Sequence, residues 1–422
     1  MTLRIAFFVH EFPALSETFV LNQITGLLDQ GCDIRIFSLR RPAAGLQHPD
    51  IDSYGLMRRV AYNPMPGNRL RRVVAAVPAF ARIFRARPGQ AVRALNVFRF
   101  GRAAFSLELL FWLDNLAGLQ NRFDVLYCHF GIVGGLVAYL RELGGVNGAL
   151  VTAFHGVDVS AALARQPTMY RHLFGAGDLF LPISRRWRSR LIEYGCDPNL
   201  VGVHHMGVEL SRFRFDCTGR PGGQPLRILT VGRHVEKKGI EYALRAVAQA
   251  RDSGVSLRYT IIGDGPLRGA LEALSGRLGL AGVATFHGWQ DQDVVAEQLK
   301  RNDVLLAPSV TDSTGDQEGI PVTLMEAMAS GLAVVSTRHS GIPELVEDGR
   351  SGLLAEERDV DGLAQALVRL DRDPALYDSL RIAARKAVAE EFDVRKLNVR
   401  LVDICRGLSR REPGRAALPG PS

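Results

Sequence analysis

Residues 303–331, DVLLAPSVTDSTGDQEGIPVTLMEAMASG, constrain what this chain can fold into more than any other stretch. Residues 303–307 form an apolar run of strand length, and 308–319 form a loop rich in Ser, Thr, Asp and Gly. A helix is predicted from Pro321, with proline in its first position and Gly331 just past its end. Strand, polar loop and helix make one turn of a doubly wound α/β sheet of parallel strands. Ligands of such sheets settle beyond the carboxyl ends of the strands. The free N–H groups and positive end of the helix suit a phosphate.

Two carboxylates bracket that helix start: Glu318 in the loop and Glu326 about one and a half turns in. Loop and helical rise together allow a separation of roughly 10 Å. That is too wide for the acid/base couple of a retaining glycosidase, at about 5 Å. It suits two hydroxyl-bearing groups on either side of an anion docked at the helix end, the layout of hexose, diphosphate and ribose in a nucleotide sugar. A surface position is the ordinary fate of a glutamate, and only the glycine and proline context turns the reading toward a site.

The segment EGIPVTLME, opened by Glu318 and closed by Glu326, resembles the E-x7-E motif of the large retaining glycosyltransferase family with the GT-B fold. That family is called family 4, or glycosyl transferases group 1. Further segments match it in order over nearly the whole chain, and the opening SETF at Ser16 resembles its exopolysaccharide branch, of colanic acid and amylovoran type. The resemblance implies two Rossmann-like domains facing a central cleft. Residues 1–215 would bind the acceptor, 216–225 (DCTGRPGGQP) would be the linker, and 226–392 would bind the nucleotide-sugar donor. A final amphipathic helix near 393–409 would cross back onto the first domain, and 411–422 would be a disordered tail.

Other candidate residues follow from the same comparison. His155, in FHGVD after an apolar run, is similar to the family histidine that reaches the donor sugar near the breaking bond. A lone histidine after a strand is more often structural, but the carboxyl end of a strand in this kind of sheet favours function. Asp158 is expected to order that loop or cap the next helix on the acceptor side. The loop after the first strand, with Glu11 and Ser16, lies where the family's acceptor sits. The family's paired glycines are absent there, and Ser16 is also placed to cap the following helix. GRHVEKKG resembles the family's diphosphate clamp, which assigns Arg233 and Lys238 that role. With only five lysines in the chain, a Lys-Lys pair is not background composition. Gly263 and Gly265 of GDGP, then Gly288 and Trp289, match turns near the nucleotide, and Trp289 is a candidate to stack on the base. The amides of Gly319, Ile320, Pro321 and Val322 are expected to face the donor, the proline contributing backbone but no N–H. Asp291-Gln292-Asp293 looks like the D-x-D metal motif of another fold, but its place at a helix start favours capping. His204 and His205 point to opposite faces of a predicted strand and lack a third ligand. No metal and no cofactor are expected; the nucleotide sugar, a UDP- or GDP-hexose, enters as substrate.

Composition bears on compartment and partners. No run of 18 apolar residues occurs, and MTLRIAFFVHEF reads as a first strand rather than a signal peptide. Five scattered cysteines without C-x-x-C spacing suggest reduced cytosolic thiols. The net charge of +8 is uneven, since residues 53–106 hold eleven arginines and no acid. Such a stretch is a solvated face or binds nucleic acid, an acidic ligand or an anionic membrane. No nucleic-acid motif accompanies it. The lipid-linked acceptors common in the family, here a saccharide or an undecaprenyl-diphosphate-linked one, point to peripheral membrane contact through 58–102. Residues 105–119 are apolar enough for a membrane surface too, though a core helix is the commoner outcome. A retaining hexosyltransferase is thus expected; the alternatives are a nucleotide-sugar epimerase of the same fold and a non-catalytic nucleotide-sugar-binding subunit.

Overall fold

Short β-branched and aromatic runs bounded by Gly, Pro and Asp make strands buried on both faces, as an all-parallel sheet requires. The computed structural model describes residues 2–14, 18–42, 48–117, 122–215, 219–220 and 223–410, and within these twelve strands form two sheets. The first holds β1 (Arg4–Glu11), β2 (Asp33–Arg40), β3 (Val60–Tyr62), β4 (Arg122–His129), β5 (Asn147–Phe154) and β6 (Leu179–Pro182), in the order β3-β2-β1-β4-β5-β6. The second holds β7 (Leu226–Val231), β8 (Leu257–Ile262), β9 (Ala284–Phe286), β10 (Val304–Ala307), β11 (Ala333–Thr337) and β12 (Leu353–Ala355). Its order is β12-β11-β10-β7-β8-β9. All pairings are parallel. Counted within its own sheet, each order reads 3-2-1-4-5-6. Each sheet therefore has a switch point between its first and fourth strands, β1 and β4 in one and β7 and β10 in the other.

The alternation of side chains along β1 divides the first core. Ile5, Phe7 and Val9 join Val20 of the helix Thr18–Asp29 on one face. Ala6 and Phe8 join Trp112 and Phe37 on the other. The helix Glu108–Ala117 supplies Trp112, which is fully buried with Leu109, Leu110, Phe111, Leu113 and Leu116, so that helix is core and not a membrane face. The last helix, Val394–Ser409, starts with Asp393 as its cap and lays Leu401, Val402 and Cys405 into the cluster around Val9, on the first sheet.

Several local expectations change. Leu200 closes a 3-10 turn, and residues 201–205 run along β6 as extended chain, touching it through Gly202 N–H to Phe180 O (3.0 Å) and His204 N–H to Pro182 O (3.0 Å), and do not complete a strand. Pro321 caps the helix Val322–Ser330 from just outside instead of opening it. Between β3 and β4 the described residues form the helices Arg69–Ala86, Pro88–Arg93, Val97–Phe105, which breaks at Gly101, and Glu108–Ala117. Cys32, Cys128, Cys196 and Cys405 are free and buried. Cys217, Ser16 and 411–422 lie outside the described residues. No helix among the described residues is long and apolar enough to cross a membrane.

Candidate active site

The carboxyl ends of β7 and β10, on either side of the second switch point, open into loops 232–239 and 308–321. A Cβ at Gly239 (φ 64°) would lie 1.8 Å from Pro308 O, so only glycine lets these loops meet. The short 3-10 turn Glu236–Lys238 is thereby laid over the β10 loop. Lys238 Nζ is 3.1 Å from Glu318 Oε2; Lys237 Nζ is 3.5 Å from Glu318 Oε1 and 2.9 Å from Asp316 Oδ2. Burial works to raise the Glu318 carboxyl, but Lys238 and Lys237 outweigh it and hold the group below its ordinary value. Glu318 is therefore a carboxylate clamped by two cations.

The backbone of that residue is fixed as firmly. Glu318 N–H donates to His339 Nε2 at 3.0 Å, and His339 Nδ1 lies 2.6 Å from Glu357 Oε1. Accepting at Nε2 places the histidine proton on Nδ1, facing the carboxylate. Glu357 also accepts the Thr311 N–H at 2.8 Å, and Asp312 accepts those of Thr314 and Asp316. The loop is thus braced without a ligand. The helix Val322–Ser330 starts at its end with no side-chain cap, which leaves the first-turn N–H groups to other partners. Glu326 lines, with Val231, Val322, Arg212 and Gln290, an inter-sheet cleft of about 610 Å³. Burial pushes its carboxyl up to about 7, against the pull of Arg212.

Across the cleft, β5 runs into His155 and Asp158. Asp158 accepts the N–H groups of His155 (3.1 Å), Gly156 (2.9 Å) and Gly131 (3.1 Å), tying the turn after β5 to the helix after β4. At 2% exposure it shapes the loop and reaches no open space. His155 Nε2 stands 3.0 Å from His129 Nδ1, the rings stacked at 5.1 Å, with Phe19 and Phe130 each 4.7 Å from the His155 ring. Burial pushes His155 down to about 3, and burial with the neighbouring His155 drives His129 well below its usual value. The pair is neutral.

The two motif regions meet although 164 positions separate His155 from Gly319. A Cβ on Gly319 would stand 2.7 Å from His155 O and 2.5 Å from Ile183 Cδ1. Ser160 Oγ lies 3.0 Å from Asp316 Oδ1, and Glu344 accepts the N–H groups of Arg185 (2.8 Å) and Arg186 (3.0 Å). Ile320 is buried beside Gly341. Arg233 is exposed and has no carboxylate partner among the described residues. The glycine turns pack backbone on backbone: Gly263 N–H donates to Gly288 O at 2.7 Å, and a Cβ at Gly263 would lie 1.9 Å from Gly232 O, at Gly265 2.7 Å from His234 O. Trp289 is 61% exposed and shares a groove of about 470 Å³ with Glu11, Phe12, His48 and Arg212, so it faces the N-terminal loop.

Asp291 caps the helix Gln292–Arg301 through Val294 N–H at 2.9 Å. His205 Nδ1 is 2.8 Å from Ile183 O, and His204 is buried. Among the described residues no three His, Cys, Asp or Glu side chains are grouped as metal ligands. Sequence reasoning missed Lys237, His129, His339 and Glu357. Only Lys237 had a local signal, as the first half of the Lys-Lys pair.

Comparison with known proteins bears on the family and the fold. A family model described as glycosyl transferases group 1 matches residues 225–373, and one described as glycosyltransferase family 4 matches 84–212. The putative colanic acid biosynthesis glycosyltransferase WcaL of Salmonella typhimurium is 39% identical over 95% of this chain and 99% of its own. The amylovoran biosynthesis glycosyltransferase AmsK of Erwinia amylovora is 37% identical over 93% and 96%. In fold, the chain resembles Anabaena HepE, solved with UDP and glucose, at a TM-score of 0.68 and 16% identity, covering 96% of this chain and 100% of HepE. It also resembles the sucrose-phosphate synthase of Thermosynechococcus elongatus, at 0.71 and 17% over 96% and 99%. Two parallel six-stranded sheets facing one cleft make the fold GT-B, and the chain belongs to the group 1, family 4 glycosyltransferases.

Proposed function

We propose that this chain is a retaining hexosyltransferase of bacterial exopolysaccharide assembly. It takes a hexose from a nucleotide-diphospho-sugar, a UDP- or GDP-hexose, and moves it to a saccharide or undecaprenyl-diphosphate-linked acceptor. The observation that carries the reading is the Glu318 carboxylate held by Lys237 and Lys238 at an uncapped helix start, with the His155 turn packed against the same loop. The names of the colanic acid and amylovoran relatives support the acceptor class, and the UDP and glucose of HepE support the donor class.

In this reading Arg233, Lys238 and the N–H groups of Gly319, Ile320 and Val322 stabilise charge on the departing diphosphate. Glu318 holds the transferred hexose and Glu326 the ribose hydroxyls. His155, neutral and fixed by His129, bonds the hexose near the anomeric carbon. Glu318 is occupied by two lysines, which leaves it a poor nucleophile. Attack therefore comes from the face that the diphosphate leaves: the anomeric carbon–oxygen bond to phosphate breaks, the acceptor oxygen bonds to that carbon, and its proton passes to a phosphate oxygen. Arg233 and Lys238 supply the cationic charge, so transfer is expected without an added metal and should survive a chelator. Glu11 and Trp289 line the groove that would receive the acceptor. The enzyme would work in the cytoplasm, at the inner membrane face where a lipid-linked acceptor resides, touching the membrane through 58–102.

The test is thermal unfolding of the purified chain with UDP, GDP, ADP and their common sugars, beside Glu326→Ala and Lys238→Ala. A ligand at a hundredfold over its Kd adds about 2.7 kcal/mol. A shift with one nucleotide that both variants lose supports the donor site. No shift with any of them overturns it.

A further inference from the structure

We propose that the outer face of the helices between β3 and β4 is a docking surface for an anionic phospholipid bilayer. The inference deepens the membrane contact proposed above by naming the face that makes it, and it draws nothing from the donor chemistry. The helix Arg69–Ala86 is apolar on two sides. Ala76, Ala79 and Ile83 are buried within the first core, which also holds the helix Glu108–Ala117. On the other side Leu70, Val73, Val74 and Val77, spaced as one helical stripe, are 80%, 58%, 71% and 66% exposed. Arg72 reaches Ser106 O at 3.4 Å, which brings Phe105, 82% exposed, up to the start of the helix Arg69–Ala86; Phe98, 100% exposed, stands on the same segment as Phe105, before its kink at Gly101.

This concentration is local. Of the nineteen large hydrophobic side chains exposed among the described residues, ten fall between Leu70 and Phe105. A soluble surface carries such residues singly, and a patch of this kind marks a contact.

The charges identify the partner. Residues 53–106 contain eleven arginines and no acid. Arg82 and Arg99 are neutralised by Asp114 and Glu142, which lie outside that stretch. Arg69, Arg71, Arg85 and Arg102 are exposed and have no carboxylate partner among the described residues. An apolar stripe flanked by unpaired arginines is the pattern of a helix lying in a membrane interface, its apolar side in the acyl boundary and its cations at lipid phosphates. A second copy would set this positive face against its like, which charge disfavours. The same face on an acidic protein would bind no vesicle.

The experiment is co-sedimentation of the full chain with vesicles of phosphatidylcholine alone and of phosphatidylcholine mixed with phosphatidylglycerol. Binding is expected to the anionic vesicles only, and to fall as salt rises. Replacing Arg69, Arg71 and Arg85 together by Gln should lower partitioning by roughly a hundredfold, at about fivefold per arginine. Val74→Asp with Leu70→Ser should abolish it. These side chains are exposed, so both variants should keep the parent's thermal midpoint and its shift with nucleotide. The proposal is overturned if the parent stays in solution with anionic vesicles at low salt, if it binds neutral vesicles equally, or if neither set of substitutions changes binding. A missing vesicle signal alongside an intact nucleotide shift would remove this proposal and leave the donor site standing; the reverse would do the opposite.

Discussion

The two sheets share a strand order, yet the turns beyond their central strands are built by opposite means. Beyond β7 and β10 the chain gathers charge: Lys237, Lys238, Asp316 and Glu318 lie within ion-pair distance, and Glu318 is held ionised. Beyond β4 and β5 it gathers neutral groups: His129 and His155 stack under Phe19 and Phe130, and burial keeps both uncharged. A polyanion such as a diphosphate calls for fixed cations and a helix end. A hexose ring calls for neutral donors and acceptors of settled orientation. One topology thus carries two kinds of turn, and the difference between halves lies in what the loops hold.

The sharpest way to break this contrast is to remove charge from the ionic side without removing its cations. Glu318→Gln frees Lys238, leaves Lys237 on Asp316 and keeps the size of the side chain. Nucleotide binding should be retained or tightened, since Lys238 no longer serves a carboxylate, whereas transfer should fall about 10²- to 10³-fold. Titration calorimetry with the nucleoside diphosphate and a transfer assay separate the two. Equal loss of binding and transfer would mean that Glu318 only supports the loop.

The seam between halves gives the next effect. Gly319 has His155 O and Ile183 Cδ1 where a side chain would go. Gly319→Val must push the two turns apart, at a cost of roughly 1–3 kcal/mol for forced overpacking. Urea midpoints should drop accordingly, and on the proposed function transfer should fall because the hexose and diphosphate contacts would lose their common register. An unchanged midpoint with full transfer would mean that the halves tolerate separation and that their contact at this loop is incidental.

How far these features could be read from the sequence depends on the range of the interaction. The β10 loop and its helix, the His155 turn and the 232–239 loop were readable because each is a local strand–loop–helix unit with its glycine or proline in place. The partners that brace them were not. His339 reaches the Glu318 amide across 21 positions and Lys237 reaches Asp316 across 79, and no periodic pattern announces such pairs. The helix Arg69–Ala86 was hidden for another reason. It is apolar toward the core and toward the outside, and it contains Pro78, so no single stripe stands out. Residues 200–205 have strand composition but lie beside β6, where only part of a ladder forms.

The smallest predicted effect sharpens the contrast from within the ionic half, because Glu326 is a carboxylate without a lysine. Its carboxyl stands at about 7 in the free protein against an ordinary value of 4.5. The folded state therefore holds a proton that the unfolded chain has released. The associated stability is fully present below the ordinary value and is lost as pH rises through about 7. Glu326→Gln should accordingly stabilise the free protein at pH 8 by about 1–3 kcal/mol and change it little near pH 5. If ribose hydroxyls donate to this carboxylate, only its ionised form binds them. Nucleotide affinity should then be level above pH 7 and fall by about tenfold per unit below it, while Glu326→Gln binds weakly at every pH. Calorimetric affinities for both proteins across that range decide the matter: a parent curve that stays flat through pH 7 would take Glu326 out of the ribose contact and leave the ionic half defined by the lysine clamp alone.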